Sequence, residues 1–220
     1  MVNEFKTYRC KELNYFALAN IIIVFLFNIN FNNVNFDDTI LSFINLLLSY
    51  GYLYIIVFIF DSLIPSKLKS IFLLYLNCSK YKFFYLPGSN IFSKLMTTKD
   101  YRIDKQLVQT QYKSIYENMP STQSKRFHYE NEQWYKIYRN HHDKEQIKTS
   151  LKEYLLCRDL VSLLVLFVVG YFVLSIVGFV ILNIQIIVYF VISYVILLLC
   201  ARNKSNTYAI NVIIVDIYDN

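Results

Sequence analysis

The sequence contains none of the short motifs that usually mark a catalytic site. It has no P-loop, no GxGxxG, no GxSxG and no HExxH. Cysteine is scarce, with four in 220 residues, and no two of them form a CxxC pair or stand at metal-ligand spacing from a histidine. His141 and His142 are adjacent, so on a helix they point in different directions and chelate poorly. We therefore expect no enzyme, no catalytic residue, no metal and no cofactor.

Asp, Glu, Lys, Arg and His are also absent from four long apolar runs, in a chain that is 55% hydrophobic. A membrane-spanning helix needs about 20 mostly apolar residues. The clustering therefore predicts membrane spans rather than the core of a soluble domain. Because transporters and pumps usually carry ionisable residues at depth, active transport is disfavoured. The four predicted spans are Leu13–Phe31, Ile40–Phe60, Leu160–Leu182 and Ile186–Ala201.

The first run has a basic start, as a signal peptide would. A signal peptide also needs a cleavage site of the small-x-small type, and the sequence that follows, NINFNNVNF, offers none. We interpret the run as a retained first span.

Lysine and arginine are missing from both predicted short loops between spans. Residues 1–12 hold three, residues 61–159 hold seventeen and residues 202–220 hold two, which accounts for all 22. Because basic residues favour cytoplasmic loops, both termini and the middle segment are predicted to be cytoplasmic, in a multi-pass protein of the bacterial inner membrane.

The predicted fold class is therefore an all-α integral membrane protein, with four transmembrane helices as two hairpins that flank a mostly helical cytoplasmic domain. The predicted parts are a cytoplasmic N-terminus (1–12), a first hairpin (13–60), a basic domain (61–159), a second hairpin (160–201) and a cytoplasmic tail (202–220).

Apolar periodicity predicts the helices of the middle domain. Ser66–Leu76 is basic, then apolar, and too short to span, which is typical of an interfacial helix. Further helices are expected from Ile103 to about Met119 and from about 124 to 140. Asp143 is a candidate N-cap with Gln146 three residues later, and one helix is expected from there through the third span.

Residues 209–215 are rich in β-branched side chains. Their pattern leaves two alternatives open, a short strand or a segment on the membrane surface.

Aromatic and basic residues cluster in the second of these helices. They offer stacking faces, a guanidinium and positive charge, which is the chemistry that holds a nucleotide or a lipid phosphate. In the alternative interpretation, the aromatics form the domain core and the basic residues its solvated face. The predicted ligand-binding residues are Trp134, Tyr135, Tyr138, Arg139, Lys125 and Arg126.

Polar residues in or beside the spans form two further candidates. Ser42, Asn45, Ser49 and Tyr52 share one face of the second span, where they would join helices or line a pore. Arg158 and Asp159 stand at the entry to the third span. They would anchor the helix at the interface or couple the domain to the spans.

A third polar cluster lies in the stretch TKDYRID. Asp100 and Asp104 flank Arg102, so the two carboxylates would bind Mg²⁺ or cap the start of a helix.

The layout of the whole chain, two hairpins around a basic domain, resembles the small multi-pass membrane effectors of bacterial anti-phage defence systems. The resemblance implies that the cytoplasmic domain senses a ligand or partner and that the spans then permeabilise the membrane. A homo-oligomer is also expected in the bilayer, because four short spans with a polar stripe on the second have little to bury alone and several copies would let the stripes meet. The expected signal is a nucleotide or a soluble protein.

Two other functions remain open. A non-catalytic membrane anchor would recruit a soluble partner through the basic domain. An enzyme that acts on lipid or nucleotide ranks last, because no nucleophile–base pair is present. The basic charge leaves nucleic acid open as a partner.

Overall fold

The computed structural model describes residues 2–28, 64–73, 87–98, 100–178 and 180–218. These ranges contain eight α-helices and no strand, which confirms the all-α prediction for them. The helices are α1 (Val2–Asn28), α2 (Ser66–Phe72), α3 (Ile91–Leu95), α4 (Lys105–Gln111), α5 (Lys113–Glu117), α6 (Gln123–His141), α7 (Glu145–Ile176) and α8 (Ile184–Tyr218).

The chain divides into two compact units. The first unit comprises Met1–Phe72 and Leu156–Leu199, and the second comprises Leu73–Leu155 and Cys200–Asn220. Helices α7 and α8 each contribute residues to both units and are unbroken between their ends.

Two helices of the described ranges, α7 and α8, are long and apolar enough to cross a membrane. Only 33% of the most apolar stretch of α7 and 22% of that of α8 is buried, whereas a helix in the core of a soluble domain is mostly buried. They are therefore candidate membrane spans. Helix α1 is not one of the two, and the predicted span Ile40–Phe60 lies outside the described residues. The arrangement of four spans in two hairpins remains a prediction.

Helix α1 begins at Val2 and continues without a break through the predicted boundary at residue 12. Leu13 and Ala17 are buried against Leu163. Asn20 is fully buried, and its amide donates to the Phe16 carbonyl while its Oδ1 accepts from the Tyr189 hydroxyl. These bonds satisfy a polar side chain that would otherwise be costly to bury.

Helix α7 ends at Ile176, six residues before the predicted end of the third span at Leu182. The chain turns at Gly178, whose φ of +86° is favoured by glycine. Asn183 then caps α8, because its Oδ1 accepts from the Gln185 backbone N–H at 2.9 Å.

The tail after residue 202 is neither a strand nor a surface segment, because α8 continues through it to Tyr218. Its β-branched residues were a weak signal for a strand, and burial overrides it. Ala209, Val212 and Ile213 are completely buried, and Ile214, Val215 and Ile217 are nearly so. A helix segment that is apolar on nearly all sides needs a core or a membrane around it, and here the second unit provides a core.

That end of α8 lies in the core of the second unit. Side chains from the other helices surround it, namely Ile91, Phe92, Leu95, Val108, Tyr112, Trp134 and Ile147. Gly88 fits against the Trp134 side chain so closely that an added Cβ would lie 2.7 Å from it.

The predicted helix from Ile103 to Met119 is divided at Tyr112, which separates α4 from α5. Helix α6 was predicted correctly, within one residue at each end. Asp143 is not the cap of α7, because the helix begins at Glu145 and its first backbone bonds reach the Lys144 carbonyl.

Candidate functional site

A buried cluster of three charged side chains lies in the first unit. Lys69 of α2 and Arg158 of α7 both contact Asp159 of α7. The Asp159 side chain is 0% exposed and that of Lys69 is 5% exposed. Buried charges are costly unless they are paired, so this pairing is a condition for the fold of the unit.

Both cations approach the same carboxylate oxygen. Lys69 Nζ lies 3.4 Å from Asp159 Oδ1, and Arg158 Nε and Nη2 each lie 3.1 Å from it. Among the described residues, these three side chains bring two positive charges and one negative charge together. The cluster stands at the start of the apolar part of α7, where the predicted third span begins at Leu160.

A small cavity adjoins the cluster, with room for about one water molecule. Its apolar wall comes from both α1 and α7, and the Ser162 hydroxyl in it donates to the Arg158 carbonyl. The cavity is too small for a nucleotide or an organic cofactor. Its lining residues are Leu13, Ile64, Lys69, Asp159, Ser162, Leu163 and Leu166.

Sequence reasoning identified Arg158 and Asp159 and missed Lys69. Lys69 lies in the predicted interfacial helix Ser66–Leu76, and its pattern assigned no partner to this lysine. The neighbouring Arg158 already offered Asp159 a cation, and no spacing in the sequence connects either residue to Lys69.

The predicted ligand-binding residues fall into two groups in the second unit. Trp134 is buried, stacks on Tyr138 at 5.7 Å and donates from its indole N–H to the Ala209 carbonyl. Tyr138 also meets Tyr208 of α8 edge to face. Trp134 and Tyr138 therefore belong to the packing around α8.

Tyr135 and Arg139 are exposed on α6, with the Arg139 guanidinium 4.9 Å from the Tyr135 ring centre. Lys125 is exposed too. Arg126 instead donates to the Pro120 and Ser121 carbonyls and fixes the turn before α6. Tyr135 and Arg139 are thus the members of the predicted site that are both adjacent and accessible, and ligand binding there remains a prediction.

A second buried carboxylate, Asp216, was missed by sequence reasoning. His141 Nε2 lies 2.8 Å from its Oδ1, and the Tyr112 hydroxyl donates to its Oδ2 at 2.6 Å. Gln111 Nε2 donates to the same oxygen at 3.3 Å. Burial, together with the negative charge of Asp216, raises the pKa of Tyr112. These contacts fix the end of α8. Sequence reasoning could not find them, because no spacing in the sequence connects His141 to Asp216.

Glu130 of α6 is fully buried, and its carboxylate accepts from the Ser93 hydroxyl at 2.6 Å and from the Ser93 backbone N–H at 3.3 Å. Burial raises the pKa of Glu130, and the bonds from Ser93 oppose that shift.

The TKDYRID stretch serves the fold of the second unit. Asp104 caps α4 by accepting from the Gln106 and Leu107 backbone N–H groups. Asp100 forms a two-point ion pair with Arg102, whose bonds hold the pKa of that carboxyl below its usual value. The predicted pore face of Ser42, Asn45, Ser49 and Tyr52 lies outside the described residues.

Comparison of the chain with models of protein families, with curated proteins and with solved structures found no match.

Proposed function

We propose that this chain is a membrane effector, whose cytoplasmic domain senses a ligand or partner and whose apolar helices then permeabilise the membrane. One observation carries the proposal. Helices α7 and α8 each join a stretch of exposed apolar residues to residues buried in the second unit, without a break.

The exposed apolar side chains support a place in the bilayer. Val169, Val173, Val191 and Ile192 are each more than half exposed, and all lie within the predicted spans. A soluble protein rarely exposes so continuous an apolar surface, whereas lipid chains solvate it.

The second unit supports a sensing role. It has its own core, and the end of α8 lies within it. A ligand that changed the packing around that end would act directly on a helix that also carries a candidate span. Tyr135 and Arg139 offer such a ligand an aromatic face and a guanidinium at the surface of the same unit.

The layout favours a role in bacterial anti-phage defence, with both termini in the cytoplasm and several copies in the inner membrane. The alternative function is a non-catalytic scaffold that recruits a soluble partner. The exposed pair of Tyr135 and Arg139 fits a protein partner as well as it fits a nucleotide.

Expression of the full chain, with and without phage challenge, tests the effector. We expect growth arrest and entry of a membrane-impermeant dye. The variant with Val169→Lys and Val173→Lys should lose both, because each lysine costs about 2.5–3.5 kcal/mol at the centre of a span. The matched control, Val169→Leu with Val173→Leu, should keep them. A wild type that causes no membrane damage under any challenge would exclude the effector and leave the scaffold.

A further inference from the structure

The turn between α7 and α8 is apolar at its apex. We define the apex as the described residues of this turn, 176–178 and 180–184. Ile176, Ile181 and Ile184 are 84%, 83% and 70% exposed, and Val177 and Leu182 are each more than half exposed. A loop that enters an aqueous compartment normally presents polar side chains, because exposed apolar surface is unfavourable in water.

Charge is absent on both sides of the apex. No Asp, Glu, Lys, Arg or His occurs from Leu160 to Ala201. The first charged residues at either end are Asp159, inside the buried cluster with Lys69, and Arg202. They stand at the ends of the charge-free stretch, remote from the turn, and we call these ends the charged base of the hairpin. Along this stretch of sequence, the apex is the part farthest from any charged residue.

Side chains of the hairpin satisfy backbone groups of the turn from within. The Tyr171 hydroxyl donates to the Ile181 carbonyl at 3.0 Å and accepts from the Asn183 N–H at 2.8 Å. Asn183 in turn donates from its side chain to the Phe27 carbonyl at 3.2 Å. Internal partners of this kind are what a turn needs where water is scarce.

The charge-free parts of the two helices are slightly shorter than the hydrocarbon core of a bilayer. From Leu160 to its end at Ile176, α7 has 17 residues, or about 25 Å at ~1.5 Å per residue. The part of α8 from Ile184 to Ala201 is of similar length. The hydrocarbon core of a bilayer is about 30 Å thick. With its charged base at one surface, the hairpin reaches the opposite boundary of the hydrocarbon only through its apex.

We propose that the apex is an interaction surface for lipid, seated among acyl chains at the far boundary of the hydrocarbon rather than in the aqueous compartment beyond it. The inference rests on the membrane location in the proposed function and adds the depth at which the hairpin ends.

Fluorescence quenching tests the depth in the full-length chain. All four native cysteines are replaced by serine, and a single cysteine at Ile181→Cys carries an environment-sensitive NBD label. The protein is reconstituted into vesicles of phosphatidylethanolamine and phosphatidylglycerol. Ile176→Cys is the second probe, because both side chains are exposed and neither substitution opens the core. Ser121→Cys, exposed in the second unit, is the aqueous control.

We expect blue-shifted emission from both apex probes. Nitroxide-labelled lipid should quench most of this emission, and iodide on either side of the membrane should not quench it. The emission of the Ser121→Cys control should be quenched by iodide and not by nitroxide-labelled lipid. Quenching by iodide would place the apex in water and overturn the inference. If neither quencher reduced the emission, the inference would also be overturned, because the apex would then be covered by a second copy of the chain. Flotation of the vesicles shows whether the wild type associates with membrane at all. If it does not, the proposed function fails; if it does and the quenching differs from expectation, only the inference about depth fails.

Discussion

The ammonium group of Lys69 lies 3.4 Å from the Asp159 carboxylate, and both side chains are almost completely buried. The two residues are far apart in the sequence, so the contact fixes the short helix α2 against α7 within the first unit. Arg158 provides a second cation for the same oxygen.

Replacing Asp159 by Asn should therefore destabilise the protein strongly. Removing one partner of a buried ion pair typically costs about 3–5 kcal/mol, because the remaining charges lose their compensation. Unfolding in detergent, followed by circular dichroism, measures the loss. The control is Glu153→Gln, which breaks the half-exposed pair with Lys204 and should cost less than about 1 kcal/mol. Equal small losses in both variants would show that the buried cluster does not hold the unit together.

Gly88→Ala should destabilise the second unit by about 1–3 kcal/mol, as overpacking of a core usually does. The new Cβ would lie 2.7 Å from atoms of the Trp134 side chain, which is buried and cannot move aside freely. Gly170→Ala is the matched control. Nothing lies within 4 Å of its Cβ position in α7, and alanine is favoured over glycine there by up to about 1 kcal/mol. Fluorescence of Trp134, the only tryptophan, follows unfolding of the second unit in each variant, and Gly170→Ala should leave that transition unchanged. If Gly88→Ala left the free energy of unfolding unchanged, the close packing of Gly88 against Trp134 would be contradicted.

The stability of the second unit should depend on the protonation of Glu130. Its folded pKa is raised above the usual 4.5, so the folded state holds this proton more tightly than the unfolded state does. Stability contributed by the protonated carboxyl is present below pH 4.5 and is lost as the pH rises through the folded pKa. Relative to Glu130→Gln, the wild type should therefore lose free energy of unfolding between pH 4 and pH 7.

The control for this prediction is Glu132→Gln, on the exposed side of α6, where the carboxylate pairs with Lys136. Because that ion pair is exposed, its loss should change the free energy of unfolding by less than about 1 kcal/mol. A difference between the wild type and Glu130→Gln that does not change with pH would mean that burial does not shift the Glu130 carboxyl.

Inserting Gly-Gly after Cys157 tests coupling along α7. The helix is unbroken from Glu145 to Ile176, and each inserted glycine reduces helix propensity by roughly 1 kcal/mol relative to alanine. Ala-Ala at the same place shifts the residues equally but keeps the helix stiff. If the effector acts through this helix, dye entry should fall further with Gly-Gly than with Ala-Ala, at equal expression. A scaffold tolerates both, and full membrane damage with Gly-Gly would exclude coupling through α7.

Reporter fusions test the topology. A fusion after Asn33 should report the periplasm, and a fusion after Asn118 should report the cytoplasm, because basic residues concentrate in the segment that contains Asn118. A cytoplasmic signal at Asn33 would remove the first span and, with it, the orientation of the whole chain.

Local signals in the sequence were sufficient for several elements. The apolar periodicity and polar face of α6 predicted its bounds, because a surface helix carries its amphipathic pattern in its own residues. Asp104 was a capping candidate for the same reason, since its carboxylate reaches backbone N–H groups two and three residues ahead. The charge-free runs in α7 and α8 likewise predicted long apolar helices without knowledge of any contact.

The tertiary structure decided what depends on partners remote in sequence. The β-branched tail became the end of α8 because the second unit offers it a core, and propensity alone favoured a strand. The predicted helix through Tyr112 divides where that hydroxyl reaches Asp216. Lys69 is buried beside Asp159, which lies on another helix and compensates its charge. In each case the deciding energy comes from burial against a distant segment, which no spacing within the sequence records.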